Sequence, residues 1–346
     1  MAKPPASVIG LDLGRYALKS VLVQRRGSRL AITHFASKTL SGPLEDADQL
    51  GREIKSLLRE MGGTAKSCAV GISSPEALIR IIEQPEMPTT LLRDALRLNG
   101  MILLNQDCKE FVLDCDMIPT SERDPVLEPG QAKQRKYLVG GLPRVHVNRV
   151  ADALEKAAPP VGALQLAPIC VFNAFEAAQP EAHNEQAFFL VDIGHTHSTM
   201  MIGAKRELVL VRTIDFGGRL LIETLMSMSG ESQEAVIAAL EQEDELMVEN
   251  ARMALTALTR EIGSSIGFFE GRREETIGRV FVSGGPAKSR TVLKVMSEEL
   301  HMPCLSWNAL ENCENALPPD KHDRLAAEAA DLTVAYGAAA ELINGN

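Results

Sequence analysis

Residues 8–23 read V-I-G-L-D-L-G-R-Y-A-L-K-S-V-L-V, an apolar run interrupted by Asp12, a turn containing Gly14, and a second apolar run. Residues 189–204, F-L-V-D-I-G-H-T-H-S-T-M-M-I-G-A, repeat that order with Asp192 and Gly194 in the matching places. Short apolar runs bounded by glycine and polar residues predict buried strands, and each pair predicts a hairpin. In both copies a polar turn (25–29; 205–207), a third apolar run (30–35; 208–215) and a helical segment follow. The two Asp residues stand 180 positions apart, about half the chain. A repeat on that scale predicts an α/β fold made of a duplicated β-β-β-α unit, one per lobe, with a cleft between them.

Between the repeats the pattern continues with a helix near 44–60, closed by Gly62-Gly63, and strands near 67–72 and 77–83. Pro85 and Pro88 end it, and 86–158 reads as a small α-β-β-α insert. Its first helix carries Leu91, Leu92, Ala95, Leu98 and Ile102 at helical spacing. Strands near 110–117 and 136–141 follow, separated by an aperiodic charged stretch over 120–135 that reads as a mobile loop, and a helix near 145–157 closes the insert. In the second half, 231–249 holds seven acidic residues and no Lys or Arg, which reads as a solvated helix face before a docking surface for a basic partner. A long amphipathic helix over 250–271, a strand over 279–283, a Gly284-Gly285 turn, a helix over 288–300 and an Ala-rich helix over 325–343 complete the chain.

The length, 346 residues, suits two lobes, and 45% hydrophobic with 24% charged residues describes a globular chain. Aromatic residues are only 4% and the net charge is −10, so neither base stacking nor phosphate neutralisation is supported and nucleic acid is excluded as a partner. The N-terminus has neither the length nor the flanks of a signal peptide, and no run approaches 18 apolar residues. A cytoplasmic location without direct membrane insertion is therefore expected. The six cysteines contain no C-x-x-C and read as small buried hydrophobes.

The chemistry gathers at the turns. Gly14 and Gly194 let backbone N–H groups approach a ligand, the way a hairpin cradles phosphate oxygens, with Thr196 in the second turn. Asp12 and Asp192 suit the water shell of a Mg²⁺ ion rather than phosphate itself, and Lys19 could reach a phosphate as a point charge. Val280-Phe281-Val282-Ser283-Gly284-Gly285-Pro286-Ala287-Lys288 is a buried strand, two glycines and a helix start, a flat surface for a nucleoside. His195 and His197 read as polar hairpin residues rather than metal ligands, because no further ligand is in view.

Two Asp-x-Gly hairpins and a late strand-Gly-Gly-x-Ala turn resemble the motifs of the actin, heat-shock chaperone and sugar kinase superfamily. Within it the chain is most similar to the PilM family of type IV pilus assembly and to its cell-division relative FtsA, nearly end to end. The likeness takes in the insert after 85, Val139-Gly140-Gly141-Leu142-Pro143-Arg144, Leu166-Ala167-Pro168, Gly267-Phe268-Phe269-Glu270 and Ala335-Tyr336-Gly337-Ala338. The resemblance implies subdomains 1A (1–85 and 159–186), 1C (86–158), 2A (187–215 and 276–324) and 2B (216–275), with a final helix (325–346) returning to 1A. It implies ATP, with Mg²⁺, between 1A and 2A, and a 1A/1C region that receives the cytoplasmic tail of a PilN-like inner-membrane protein, which would hold the chain at that membrane. Leu91, Leu98, Met101 and Ile102, more apolar surface than so small an insert can bury, are the candidate partner contacts; self-association is a further expectation. Arg15-Tyr16 depart from the small or hydroxyl residues usual after the first Asp-x-Gly, and Arg15 could either bind phosphate or fill its space. Glu234-Ala235-Val236-Ile237 lacks the lysine that relatives often carry, and Leu103-Leu104-Asn105-Gln106-Asp107 replaces a Pro-Phe phrase. A nucleotide-binding scaffold is the leading expectation, ahead of a small-molecule kinase or a scaffold without nucleotide. Turnover is expected to be slow at most, since Asn173 and Glu176 are the only polar residues over 168–176 able to orient a water.

Overall fold

Each apolar run of the repeat becomes a strand in the computed structural model, which describes residues 4–44, 46–120 and 132–345. The first half supplies β1 (Ser7–Leu13), β2 (Ala17–Arg26), β3 (Arg29–Thr39), α1 (Ala47–Met61) and β4 (Cys68–Ile72). The insert follows as β5 (Leu78–Pro85), α2 (Thr89–Leu104), β6 (Phe111–Met117), β7 (Gln134–Pro143) and α3 (Arg144–Ala157), and the first lobe resumes with β8 (Val161–Leu166), α4 (Ala167–Ala178) and α5 (Pro180–Glu185). The second half supplies β9 (Ala187–Ile193), β10 (Ser198–Ala204), β11 (Glu207–Ile214), α6 (Gly218–Ser229), α7 (Gln233–Gln242), α8 (Glu245–Glu270), β12 (Val280–Ser283), α9 (Arg290–Leu300) and β13 (Cys304–Ser306). It ends with β14 (Glu314–Asn315), α10 (His322–Glu328) and α11 (Thr333–Asn344). Residues 121–131 of the charged stretch expected to be a mobile loop lie outside the described residues.

The duplication is one of topology as well as sequence. One sheet runs β3-β2-β1-β4-β8 and the other β11-β10-β9-β12-β13. In each, the first three strands of the repeat pair antiparallel and the next two join in parallel. Strands between two helical layers are buried on both faces, which is why β1, β9 and β12 read as near-continuous apolar runs.

Three boundaries differ from the sequence expectation. β5 pairs antiparallel with β7, so the insert begins at Leu78, inside the stretch assigned to 1A up to residue 85. The closing helix of the insert, α3, sends Val150, Ala153 and Leu154 into the core of the first lobe beside Leu50, Ile54 and Leu57 of α1. β14 pairs with β3 of the first lobe, so the chain has crossed back by Glu314, within the 276–324 stretch expected to belong to 2A. A two-residue strand carries no periodicity to read.

The Ala-rich end is not the single helix expected over 325–343: a tighter turn over Ala329–Leu332 separates α10 from α11. Beyond it α11 lies across β1 and against α4 at backbone contact distance. A Cβ at Gly337 would stand 1.8 Å from the Cys170 carbonyl oxygen, and one at Gly10 would stand 1.9 Å from that of Ala335. Among the described residues no helix is long and apolar enough to cross a membrane. All six cysteines are free thiols, and burial raises the Cys68 and Cys304 thiols to about 11.

α2 has leucines on both faces and buries one of them. Leu92, Leu96 and Leu104 are buried with Leu78, Leu113, Tyr137 and Val139, while Ala95 is half-buried. Leu91, Leu98, Met101 and Ile102 face solvent, with 58%, 83%, 59% and 81% of their surface exposed. The helix carries a kink at Asn99, whose φ of −126° and ψ of 29° are not helical.

Candidate functional site: the cleft between the lobes

The turns of the two hairpins and the Gly284-Gly285 turn line one cavity of about 680 Å³ between the lobes. Asp12, Gly14, Lys19, Asp192, Gly194, Thr196, Gly284 and Gly285, the residues singled out in the sequence, all contribute to its wall. The four apolar residues of α2 lie elsewhere, on the insert.

The two Asp residues occupy matching places in the sheets but have different neighbours. Asp12 sits opposite Lys19 on β2 and beside Gly71 on β4; Asp192 sits opposite Thr199 on β10 and beside Ser283 on β12. Lys19 Nζ donates to Asp12 Oδ2 at 3.2 Å, and Ser283 Oγ donates to Asp192 Oδ1 at 2.8 Å. Asp12 is 3% exposed, and its other oxygen, Oδ1, is buried without a hydrogen-bond partner. Burial raises the Asp12 carboxyl above the usual range, and the Lys19 charge offsets only part of that. Burial likewise raises Asp192, against the hydroxyl of Ser283 and the charge of Lys19. Burial works against the charge on Lys19 too, but Asp12 and Asp331 outweigh it, and its pKa stands above the ordinary value. Lys19 is therefore paired with Asp12 within a cluster of carboxylates at the cavity wall.

Asp331 escaped sequence reading because it lies in the turn between α10 and α11, where an unbroken helix was expected. It lines the cavity and pairs with Lys288 of the Gly284-Gly285 turn, which fastens the first lobe's end of the chain to the second lobe. The far wall includes Ile237 of the 234–237 stretch, with Met226 of α6 and Leu240 of α7, which the sequence did not single out. Gln233 and Glu241 line the same side, so this wall is part apolar and part polar.

The glycines are needed for backbone approach. Gly284 has a φ of +86°, and a Cβ there would stand 2.2 Å from the Ile193 carbonyl oxygen. A Cβ on Gly14 would stand 2.6 Å from the carbonyl oxygen of Ala17, and one on Gly194 2.8 Å from that of His197. The second hairpin is tied to the start of α6, where the Gly218 and Arg219 N–H groups donate to the carbonyls of Gly194 and His195 at 2.8 and 2.9 Å. Arg15, Tyr16, His195 and Arg219 complete the rim. Asn173, one of the two water-orienting candidates, instead donates to Glu341 of α11, and neither it nor Glu176 lines the cavity.

A two-lobed α/β fold with one sheet topology repeated on either side of a glycine-lined cleft defines an actin-like protein. The family model described as type IV pilus assembly protein PilM matches residues 10–342, and the chain belongs to that family. Among solved structures it is similar to a PilM-PilN type IV pilus biogenesis complex, with a TM-score of 0.80 and 22% identity, covering 97% of this chain and 98% of that one. It is more distantly similar to ethanolamine utilization protein EutJ from Carboxydothermus hydrogenoformans, with a TM-score of 0.51 and 13% identity over 97% of this chain and 90% of that one. The activator of the 2-hydroxyisocaproyl-CoA dehydratase from Clostridium difficile with bound ADPNP matches at a TM-score of 0.46 and 14% identity, over 98% of this chain and 95% of its own.

Proposed function

We propose that this chain is a cytoplasmic scaffold of a type IV pilus or related secretion machine, which binds the cytoplasmic tail of a PilN-like inner-membrane protein on its insert and ATP with Mg²⁺ between its lobes. The observation that carries the reading is the exposed stripe Leu91, Leu98, Met101 and Ile102, set on a helix whose opposite face is already packed. Four large apolar side chains on one exposed face are costly in water unless a partner covers them. Membership of the PilM family, and a structural relative that is a complex with PilN, favour a PilN-like tail as that partner. An extended peptide anchored by apolar side chains would bring the protein to the inner membrane without a spanning segment of its own.

The cleft fits a magnesium-bound nucleotide on its own chemistry. Asp12 Oδ1 lacks a protein partner and Asp192 keeps one oxygen beyond its Ser283 bond, so the two can hold ion-bound waters. The backbones around Gly14 and Gly194 would take the phosphates, and the Gly285–Pro286 surface facing Ile237 and Leu240 would take the base. Bound Mg²⁺ would supply charge neutralisation for the phosphates. Holding, rather than fast cleaving, is favoured because Asn173 is engaged on α11 and neither it nor Glu176 lines the cavity. Calorimetry with ATP and Mg²⁺ tests the cleft: the wild type should bind and Asp192→Ala should lose most of the magnesium dependence. Absence of binding by the wild type at millimolar ATP would leave a scaffold without nucleotide.

A further inference from the structure

The tips of the two hairpins touch. Tyr16, in the turn after β1, stacks on His195, in the turn after β9, with ring centroids 4.6 Å apart and planes 20° from parallel. Tyr16 is 47% exposed, and both rings line the cavity, so the pair sits at its rim where the first lobe meets the second. The positions are not equivalent in the repeat: His195 directly follows the second Asp-x-Gly, as Arg15 follows the first, whereas Tyr16 stands one residue further on.

Both rings are carried on pinned backbone. The Tyr16 carbonyl accepts from the Leu40 N–H at 2.9 Å, which anchors its turn to the end of β3. The His195 carbonyl accepts from the Arg219 N–H at 2.9 Å, and Gly217 lies so close behind that a Cβ there would stand 2.5 Å from that oxygen. Neither turn can slide, so the rings separate only by changing rotamer or by the lobes turning apart. Burial and the neighbouring Arg219 hold His195 below its ordinary pKa, which keeps the imidazole neutral against the phenol ring at neutral pH.

We infer that Tyr16 and His195 form a clasp across the phosphate end of the cleft, whose opening sets how fast a nucleoside polyphosphate enters and leaves. The inference rests on the nucleotide reading of the cleft. It also gives the departure at Arg15-Tyr16 a purpose, since a small residue at position 16 could not reach the other lobe. A polyphosphate lying between the hairpins would pass beneath the stacked rings, and a stacked pair of this kind biases closure by a modest factor.

The test is stopped-flow displacement of a fluorescent ATP analogue by excess ATP with Mg²⁺, on wild type, Tyr16→Ala, His195→Ala, the double variant and Tyr16→Phe. Each alanine variant should release the analogue about three- to tenfold faster, the double variant no faster than the quicker single one, and Tyr16→Phe at the wild-type rate. Release that multiplies in the double variant would mean that each ring contacts the ligand independently, and the clasp would be overturned. Unchanged release in both single variants would overturn it as well. A Tyr16→Phe variant as fast as Tyr16→Ala would assign the effect to the hydroxyl and not to the stack. If the wild type does not bind the analogue at all, the nucleotide reading falls and takes the clasp with it, whereas normal binding with uncoupled rings removes the clasp alone.

Discussion

Asp192 carries opposing demands at one residue. Its carboxyl is held above the usual range by burial, so the folded chain favours the protonated form more than the unfolded chain does. The stability that this group confers is full below its unfolded pKa and is lost as pH rises through the higher folded value, leaving a cost at neutral pH. Asp192→Asn keeps an oxygen to accept from Ser283 and removes that cost. It should raise the melting temperature of the ligand-free protein by on the order of 2 °C at pH 7, with the difference shrinking towards pH 4. Scanning calorimetry across that range checks the sign; a lower melting temperature at pH 7 would show that the Asp192 charge is compensated in the folded state. The identity of this residue was legible in the sequence, because Asp-x-Gly recurs between two apolar runs. Its partner Ser283 stood inside the strand-Gly-Gly phrase but carried no signal of its own until the parallel pairing of β12 with β9 set the two side by side.

At the scale of elements, small residues decide how α11 seats on the first lobe. Gly337 faces the Cys170 carbonyl of α4 at a distance that admits no Cβ, whereas Gly267 in α8 has nothing within 4 Å of where its Cβ would be. Gly337→Ala should therefore cost about 2–4 kcal/mol by forcing the helices apart, while Gly267→Ala should stabilise by about 0.5–1 kcal/mol through helix propensity alone. Urea midpoints for the two variants should move in opposite directions, and a shared direction would contradict the packing described. The Ala-rich composition of α11 announced tight packing, but not the break over Ala329–Leu332 that puts Asp331 in the cleft. The apolar spacing of α2 announced a helix with more apolar surface than the insert can bury, but not that Leu96 and Leu104 join Leu92 on the buried face, because leucines occupy both sides and spacing alone does not say which one meets the insert's sheet. β13 and β14, of three and two residues, are specified by the sheets that receive them rather than by any pattern within them.

For the whole molecule, the repeat was legible at a glance because each copy must build the same buried sheet, and the sheets share one strand order. The crossing of the chain back to the first lobe at Glu314 was not, since it depends on pairing between segments far apart in sequence. That architecture places two faces at a distance: a cleft whose wall is drawn from both halves, and an insert whose α2 stripe belongs to neither repeat. In the proposed role the stripe takes a membrane protein's tail and the cleft takes a nucleotide. The measurement that bears on it most directly is a calorimetric titration of the cytoplasmic N-terminal peptide of the same organism's PilN-like protein into wild type and the Leu98→Glu, Ile102→Glu double variant. Both side chains are more than 80% exposed, so the variant should melt within about 1 °C of wild type. Losing two apolar anchors should weaken peptide binding at least about a hundredfold. A wild type that does not bind the peptide, or a double variant that binds it with unchanged affinity, would contradict the account.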